Sequence, residues 1–213
     1  MINLNLKLLL TTLLLTAGAS AHPVIFKGGT VFESEQNTHK QHLGLSYTFH
    51  PKTALAFDYL KFNDIKTEYY FTKVNYRLWR ANEVESQANI YLSAGAGQRR
   101  VDDTLTNAAV AQIHADWEDR DYYISAFQKY IHADKMDSEA DLDPIWQSRA
   151  RVGLAPFRGD FNDVNVWFIA QFDKMNGEHW ETTPLLRTYY KNILWEVGAS
   201  LNGSYQLNLM FHL

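Results

Sequence analysis

The sequence predicts an all-β chain, an antiparallel up-and-down transmembrane β-barrel of about twelve strands, with eight or ten as the alternatives. Three observations predict it. At the end of the chain Tyr205, Leu207, Leu209, Phe211 and Leu213 alternate without a fault with Gln206, Asn208, Met210 and His212, which puts an apolar and a polar face on one extended strand. From residue 23 onward the chain breaks into short runs of that kind, separated by turn residues, with no helical periodicity, internal repeat or linker. Aromatic residues make up 14% of the chain although its mean hydropathy is negative, a pairing that a barrel with lipid outside and water inside requires. A soluble β-sandwich or lipocalin-like barrel is the competing fold, since its inner face would alternate in the same way.

In order, Lys7 precedes an apolar run from residue 8 to residue 15, and Ala17, Gly18, Ala19, Ser20 and Ala21 follow it. That is the pattern of a secretory signal cleaved after Ala21, leaving residues 22–213 as one barrel domain. The apolar run is too short for a stop-transfer helix, and no stretch of about 20 apolar residues follows. The absence of cysteine excludes a lipid-anchored N-terminus and a disulfide scaffold, and the net charge of −4 argues against a nucleic-acid partner.

The run over residues 24–34 is the weakest of the predicted strands. Leu43, Leu45, Tyr47 and Phe49 lead to a turn at residues 50–53; Leu55, Phe57 and Tyr59 lead to one near Asn63 and Asp64; Tyr70, Thr72, Val74, Tyr76 and Leu78 face away from Lys73 and Arg77. Residues 88–97 and 109–118 follow, then a turn at 118–121, a strand from Tyr122 to Tyr130 and the longest loop, 133–144. Trp146, Ala150, Val152 and Leu154 oppose Gln147, Arg149 and Arg151; Val164 to Phe172 oppose Asn165, Gln171 and Asp173. The last runs are hinged at Lys191-Asn192 and at Asn202-Gly203, a strong hairpin dipeptide.

With the N-terminus inside, turns near 50–53, 81–85, 118–121, 157–162 and 191–192 are predicted at the inner end, and the longer connections 98–107, 133–144 and 174–184 outside. Phe49, Trp79, Trp117, Tyr122 and Phe211 then form one aromatic girdle, and Tyr70, Tyr130, Trp146, Phe172 and Tyr205 the other. Parity sends Asp58, Lys73, Arg77, His114, Asp116, Glu118, Lys129, Arg149, Arg151, Asp173, Arg187, Lys191 and Glu196 to the lumen. A charge facing hydrocarbon at mid-membrane costs roughly 2 to 4 kcal/mol, which is why the parity falls this way. These charges either set the selectivity of a pore for a small solute or pair with one another and fill the interior.

The closing strand, from Tyr205 to Leu213, resembles the C-terminal signal by which bacterial outer-membrane barrels meet the barrel-assembly machinery, although those more often end on Phe than on Leu. Residues 115–120, 149–163 and 183–187 resemble motifs of an uncharacterised family of proteobacterial exported proteins that form outer-membrane β-barrels. The resemblance spans most of the chain and implies residence in the outer membrane of a Gram-negative bacterium, among lipid and lipopolysaccharide. It names no activity or cofactor. Such proteins are also associated with copper-handling gene neighbourhoods, which by itself assigns no ligand; a non-conducting structural or metal (copper)-associated barrel is the alternative to a channel or receptor.

His22 becomes the first residue after cleavage, and an α-amine with its own imidazole suits Cu(II); His39, His42 and His50 are candidate helpers. Against that, a signal has to be cut somewhere and one terminal His carries little weight. Asp134, Asp137, Glu139, Asp141 and Asp143 alternate in one loop, but Leu142 and Ser148 stand where an EF-hand needs Gly and Glu, so a solvated loop is expected. No GxSxG, HExxH or phosphate-binding loop occurs, and the glycines of Gly95-Ala96-Gly97 are read as room for neighbouring lumen side chains. No catalytic residue and no enzyme activity is expected. A lipid-modifying barrel is the least favoured alternative, with His132 near Ser138 as its only outward pair.

Overall fold

A computed structural model describes residues 22–135, 144–160 and 162–213. The described residues form twelve strands in one closed barrel: β1 (Thr30–Asn37), β2 (Lys40–His50), β3 (Thr53–Phe62), β4 (Thr67–Asn82), β5 (Gln87–Val101), β6 (Thr104–Glu118), β7 (Tyr122–Ala133), β8 (Ile145–Leu154), β9 (Asn165–Met175), β10 (Glu181–Tyr190), β11 (Ile193–Ala199) and β12 (Tyr205–His212). Each strand is antiparallel to its sequence neighbours, and β1 closes on β12 with Val31 opposite His212 and Asn37 opposite Gln206. The predicted all-β, twelve-stranded, up-and-down barrel is therefore the fold.

Alternation decides which way each side chain points. In β2, Lys40, His42, Ser46 and Thr48 are buried inside, whereas Leu43, Leu45, Tyr47 and Phe49 are exposed on the outer wall. Leu55 and Phe57 continue that wall, with Val74, Tyr76, Leu92, Ile113, Ile124, Val152, Phe168, Val197 and Leu207 around the circumference. So many large apolar side chains outward on every side are unsuited to water and suited to hydrocarbon.

Both chain ends lie at one end of the barrel, the terminal end, together with connections 51–52, 83–86, 119–121, 155–164 and 191–192. The other, loop end carries connections 38–39, 63–66, 102–103, 134–144, 176–180 and 200–204. Asp102, Asn176 and Lys191 take left-handed φ values of 50°, 50° and 54°, and Gly203 takes 90°, where the chain reverses. One expected outer loop is corrected. Residues 98–107 are strand up to a two-residue hairpin, with Val101 paired to Thr104 and Arg99 to Thr106. The polar run Gln98-Arg99-Arg100 looked like a loop because β5 continues beyond the apolar wall, where outward side chains need not be greasy. Similarly, 174–184 shortens to 176–180. The first strand starts later than expected, at Thr30, and residues 22–25 turn into the lumen instead.

Gly97 meets the close approach of β4: a Cβ there would lie 1.7 Å from the carbonyl oxygen of Tyr70. Gly95 is crowded first by the Thr72 carbonyl and only then by the Lys73 side chain. The pair thus makes room mainly for the neighbouring backbone, a correction to the expected lumen role.

The two aromatic bands are present, with Phe49, Trp79, Trp117 and Tyr122 exposed near the terminal end and Trp146 and Tyr205 near the loop end. Tyr130 packs on Trp146 with ring centroids 4.6 Å apart.

Candidate functional site: a charged chamber at mid-lumen

The interior is layered. Toward the loop end Leu60, Phe62, Tyr69, Phe71, Val110, Ile131 and Ile145 gather into an apolar cluster inside the wall. Its members come from the loop-end halves of β3, β4, β6, β7 and β8, so it leans on one side of the lumen. Toward the terminal end, Val24 is fully buried against Ala54 and Tyr91. Between these layers lies a cavity of about 170 Å³, walled by strands from all round the barrel.

Charged side chains line that chamber because consecutive strands place them at the same height. Arg149 of β8 reaches Glu35 of β1 with two bonds, Nη2 to Oε1 at 2.6 Å and Nη1 to Oε2 at 3.0 Å. Strands β1 and β8 are not neighbours in the barrel, so this pair bridges the lumen. The same guanidinium donates Nε to Asp173 at 2.9 Å, and Lys40 Nζ lies 2.9 Å from Glu35. Bidentate contact between planar groups holds such a bridge in one geometry.

A second network hangs on Glu196, which accepts Arg187 Nε at 2.6 Å, Arg151 Nη1 at 3.4 Å and the amide of Asn208. Arg187 lies over the Tyr123 ring at 4.4 Å, and Arg151 also donates to Gln171 at 2.7 Å. A third group joins Lys73 to Asp58 at 2.5 Å. His42 Nε2 stands 3.3 Å from Asp58 Oδ2 and 3.7 Å from Glu33 Oε1, without hydrogen-bond geometry to either.

Of the residues expected at the lumen, Lys73, His114, Arg149, Arg151 and Glu196 line the chamber. Asp173 and Arg187 stand behind them as ion-pair partners. Asp58 and Lys129, placed inside by the same parity, also line it. Asp116 and Glu118 lie deeper toward the terminal end, Asp116 accepting Asn89 Nδ2 at 2.7 Å. Arg77 keeps the inward parity at the terminal end, half-buried beside Tyr91 just ahead of a bulge between Arg77 and Trp79, and donates to the Pro51 carbonyl at 2.7 Å. One expectation is corrected. Lys191 is exposed in the β10–β11 turn, its ammonium 5.0 Å from the Tyr190 ring centre.

His22 is buried in the lumen, hydrogen-bonded to Gln87 at 2.8 Å, with Asp116 Oδ2 3.8 Å from its Nδ1. The expected helpers are scattered. His39 is at the loop end on Asp64 and Ser204, His50 is exposed beside the 51–52 turn, and His42 is on the chamber wall. The carboxylates of Glu33 and Asp58 with His42 have the spacing of metal ligands, their donor atoms all within 4.8 Å of one another. The Lys73 ammonium already neutralises the Asp58 oxygen that such an ion would need. His132 is exposed on the outer wall; Ser138, Asp137, Glu139, Asp141 and Asp143 lie outside the described residues, as does the predicted signal. Asp134 accepts the Asn107 amide at 2.9 Å and its carbonyl takes a bond from Arg99, so this part of the loop is anchored to the barrel.

Glu33, Glu35 and Lys40 were not foreseen at the site. The signal that would have found them is Glu33 and Glu35 at i, i+2, alternating with Phe32 and Ser34 and flush with the inward row of β2.

No protein-family model and no curated protein sequence matches the chain, so its resemblance to a proteobacterial exported family rests on the motifs already quoted. Solved structures do match. The KdgM porin in complex with disordered oligogalacturonate is 12% identical, with 86% of this chain and 98% of that one covered and a TM-score of 0.50. An outer membrane channel from Pseudomonas putida F1 is 9% identical, with 92% and 99% covered and a TM-score of 0.51. At these identities the likeness is one of fold: a porin-like barrel.

Proposed function

We propose that this chain is an integral outer-membrane barrel of a Gram-negative bacterium, exported by a signal removed after Ala21, that serves as a narrow porin-like channel or receptor for a small solute. The observation that carries the reading is a charged chamber at mid-height inside a wall whose outer face is apolar all round. Lipid outside explains the exposed Leu, Val and Phe, and a wet interior explains the inward Lys, Arg, Asp and Glu. The fold shared with porins and channels supports the same reading. Lipid and lipopolysaccharide surround the barrel in this proposal, and the strand from Tyr205 to Leu213 presents it to the assembly machinery. The Glu35–Arg149 bridge and residues 22–25, with His22 and Val24 buried, narrow the path.

The test begins with membrane fractionation and a cold detergent gel with and without boiling. Recovery in the outer-membrane fraction with a heat-dependent shift is expected, followed by discrete conductance steps in planar bilayers that grow in Arg149→Ala. One further reading has an observation of its own. The apolar cluster at the loop end and Val24 at the other favour a non-conducting structural barrel. A folded protein that stays silent in bilayers, both as wild type and as Arg149→Ala, would establish that reading and refute the channel.

A further inference from the structure

Charge pairing in the chamber is nearly complete, and the exception identifies a site. Lys40, Lys73, Arg149 and Arg151 each have a carboxylate within 2.9, 2.5, 2.6 and 3.4 Å respectively. Lys129 has none within 4.0 Å among the described residues: its Nζ lies 5.4 Å from the Phe127 ring centroid, and Asp58 and Glu35 act on it only from beyond ion-pair distance, alongside Lys40 and Lys73. It is 6% exposed and lines the chamber. A buried ammonium without a counter-charge is costly, and natural interiors pair such groups or bring an ion to them.

The surroundings of Lys129 complete a receptor. Its cross-strand partners are Gln112 on β6 and Gln147 on β8, both lining the chamber. Each amide nitrogen is engaged once, Gln112 by Ser93 at 3.3 Å and Gln147 by Asp173 at 3.3 Å, which leaves each a second N–H. Lys40 and Lys73 share the chamber, each held by its own carboxylate, Glu35 and Asp58. The volume of about 170 Å³ has room for on the order of ten waters, the scale of a single sugar acid and too small for a polymer.

We propose that the mid-barrel chamber binds a small oxyanion, a carboxylate or a phosphate, with Lys129 as its charge partner and Gln112 and Gln147 as flanking donors. This deepens the solute reading above and rests on it. Glu35, Asp58 and Glu196 hold its cationic neighbours in place and Glu33 faces only His42 Nε2 at 3.7 Å, so the one ammonium without an ion pair among the described lining residues is the group left to meet an anion. A neutral solute of the same shape gains nothing from it.

The test uses residues 22–213 folded in detergent micelles, each variant first checked for the heat-dependent gel shift. Calorimetry compares gluconate, its uncharged analogue sorbitol, and inorganic phosphate. Gluconate or phosphate is expected to bind and sorbitol not; Lys129→Met weakens the anion at least tenfold, and Lys129→Arg stays within about threefold of wild type. Binding of gluconate alone identifies a carboxylate site, and binding of phosphate alone a phosphate site. Equal binding of sorbitol and gluconate, an unchanged Lys129→Met, or no anion bound to the folded wild type overturns the proposal. Reversal potentials in a KCl gradient separate this from the parent reading. A conducting pore with no anion preference, unchanged in Lys129→Met, leaves the channel standing and the anion site refuted; a silent barrel that still binds gluconate through Lys129 does the opposite.

Discussion

Replacing Glu196 by Gln removes the carboxylate that two arginines share. Arg187 is 1% exposed and Glu196 2%, so water cannot compensate for the loss. Breaking a buried pair by neutralising one partner costs about 3 to 5 kcal/mol, because the remaining charge stays buried. Here the lower end applies, since a Gln oxygen can still accept Arg187 Nε at the 2.6 Å position and Arg151 keeps its bond to Gln171. About 3 kcal/mol is a change on the order of a hundredfold in the folded-to-unfolded ratio. Urea titration of the barrel in lipid vesicles, followed by tryptophan fluorescence and by the cold-gel band, measures it. The double variant Arg187→Met/Glu196→Gln takes out the stranded guanidinium and is expected to recover at least half of the loss. A Glu196→Gln barrel within about 0.5 kcal/mol of wild type would refute the argument, as would a double variant as unstable as the two single changes added together.

Other expected outcomes follow from the wall and its plug. Leu45→Arg places a charge on the outer face, where Leu45 is 52% exposed, and should cost roughly 2 to 4 kcal/mol in a bilayer; a soluble barrel would tolerate it without loss, so vesicle unfolding tests the lipid assignment too. Gly97→Ala drives a methyl into the Tyr70 carbonyl and should destabilise by about 1 to 3 kcal/mol in the same assay, whereas Ala96→Ser on the opposite parity should stay near wild type. Removing residues 22–25 empties the terminal end beside Ala54 and Tyr91 and should raise single-channel conductance severalfold with the gel shift intact; unchanged conductance would show that the constriction lies elsewhere.

The wall was legible because every strand of a membrane barrel repeats one rule with period two. The runs Leu43 to Phe49, Val152 to Leu154 and Tyr205 to Leu213 each identified their own parity, and hence which charges share the inside. Less could be read where that rule stops. At the loop end β5 and β6 carry polar side chains on both faces, Arg99 and Thr106 inward and Arg100 and Asn107 outward, so the run shows no apolar stripe and looked like a loop. The i, i+2 glutamates of β1 were hidden because its outward positions include Ser34 and Gln36 and show no clear apolar stripe. Which charges pair across the lumen depends on strands far apart in sequence: Glu35 and Arg149 are 114 residues apart, and only closure of the barrel brings them together.

That closure has a consequence for the protein's life before it is folded. Thr30 and Leu213 exchange backbone hydrogen bonds at 2.8 Å in both directions, so the seam is sewn between the first strand of the barrel and the twelfth. Until β12 arrives, β1 and β11 each present a bare edge that would pair with another chain as readily as with its own. Contacts of such sequence separation form slowly. The unclosed chain therefore carries two edges open to mispairing, and its closing strand decides when that hazard ends.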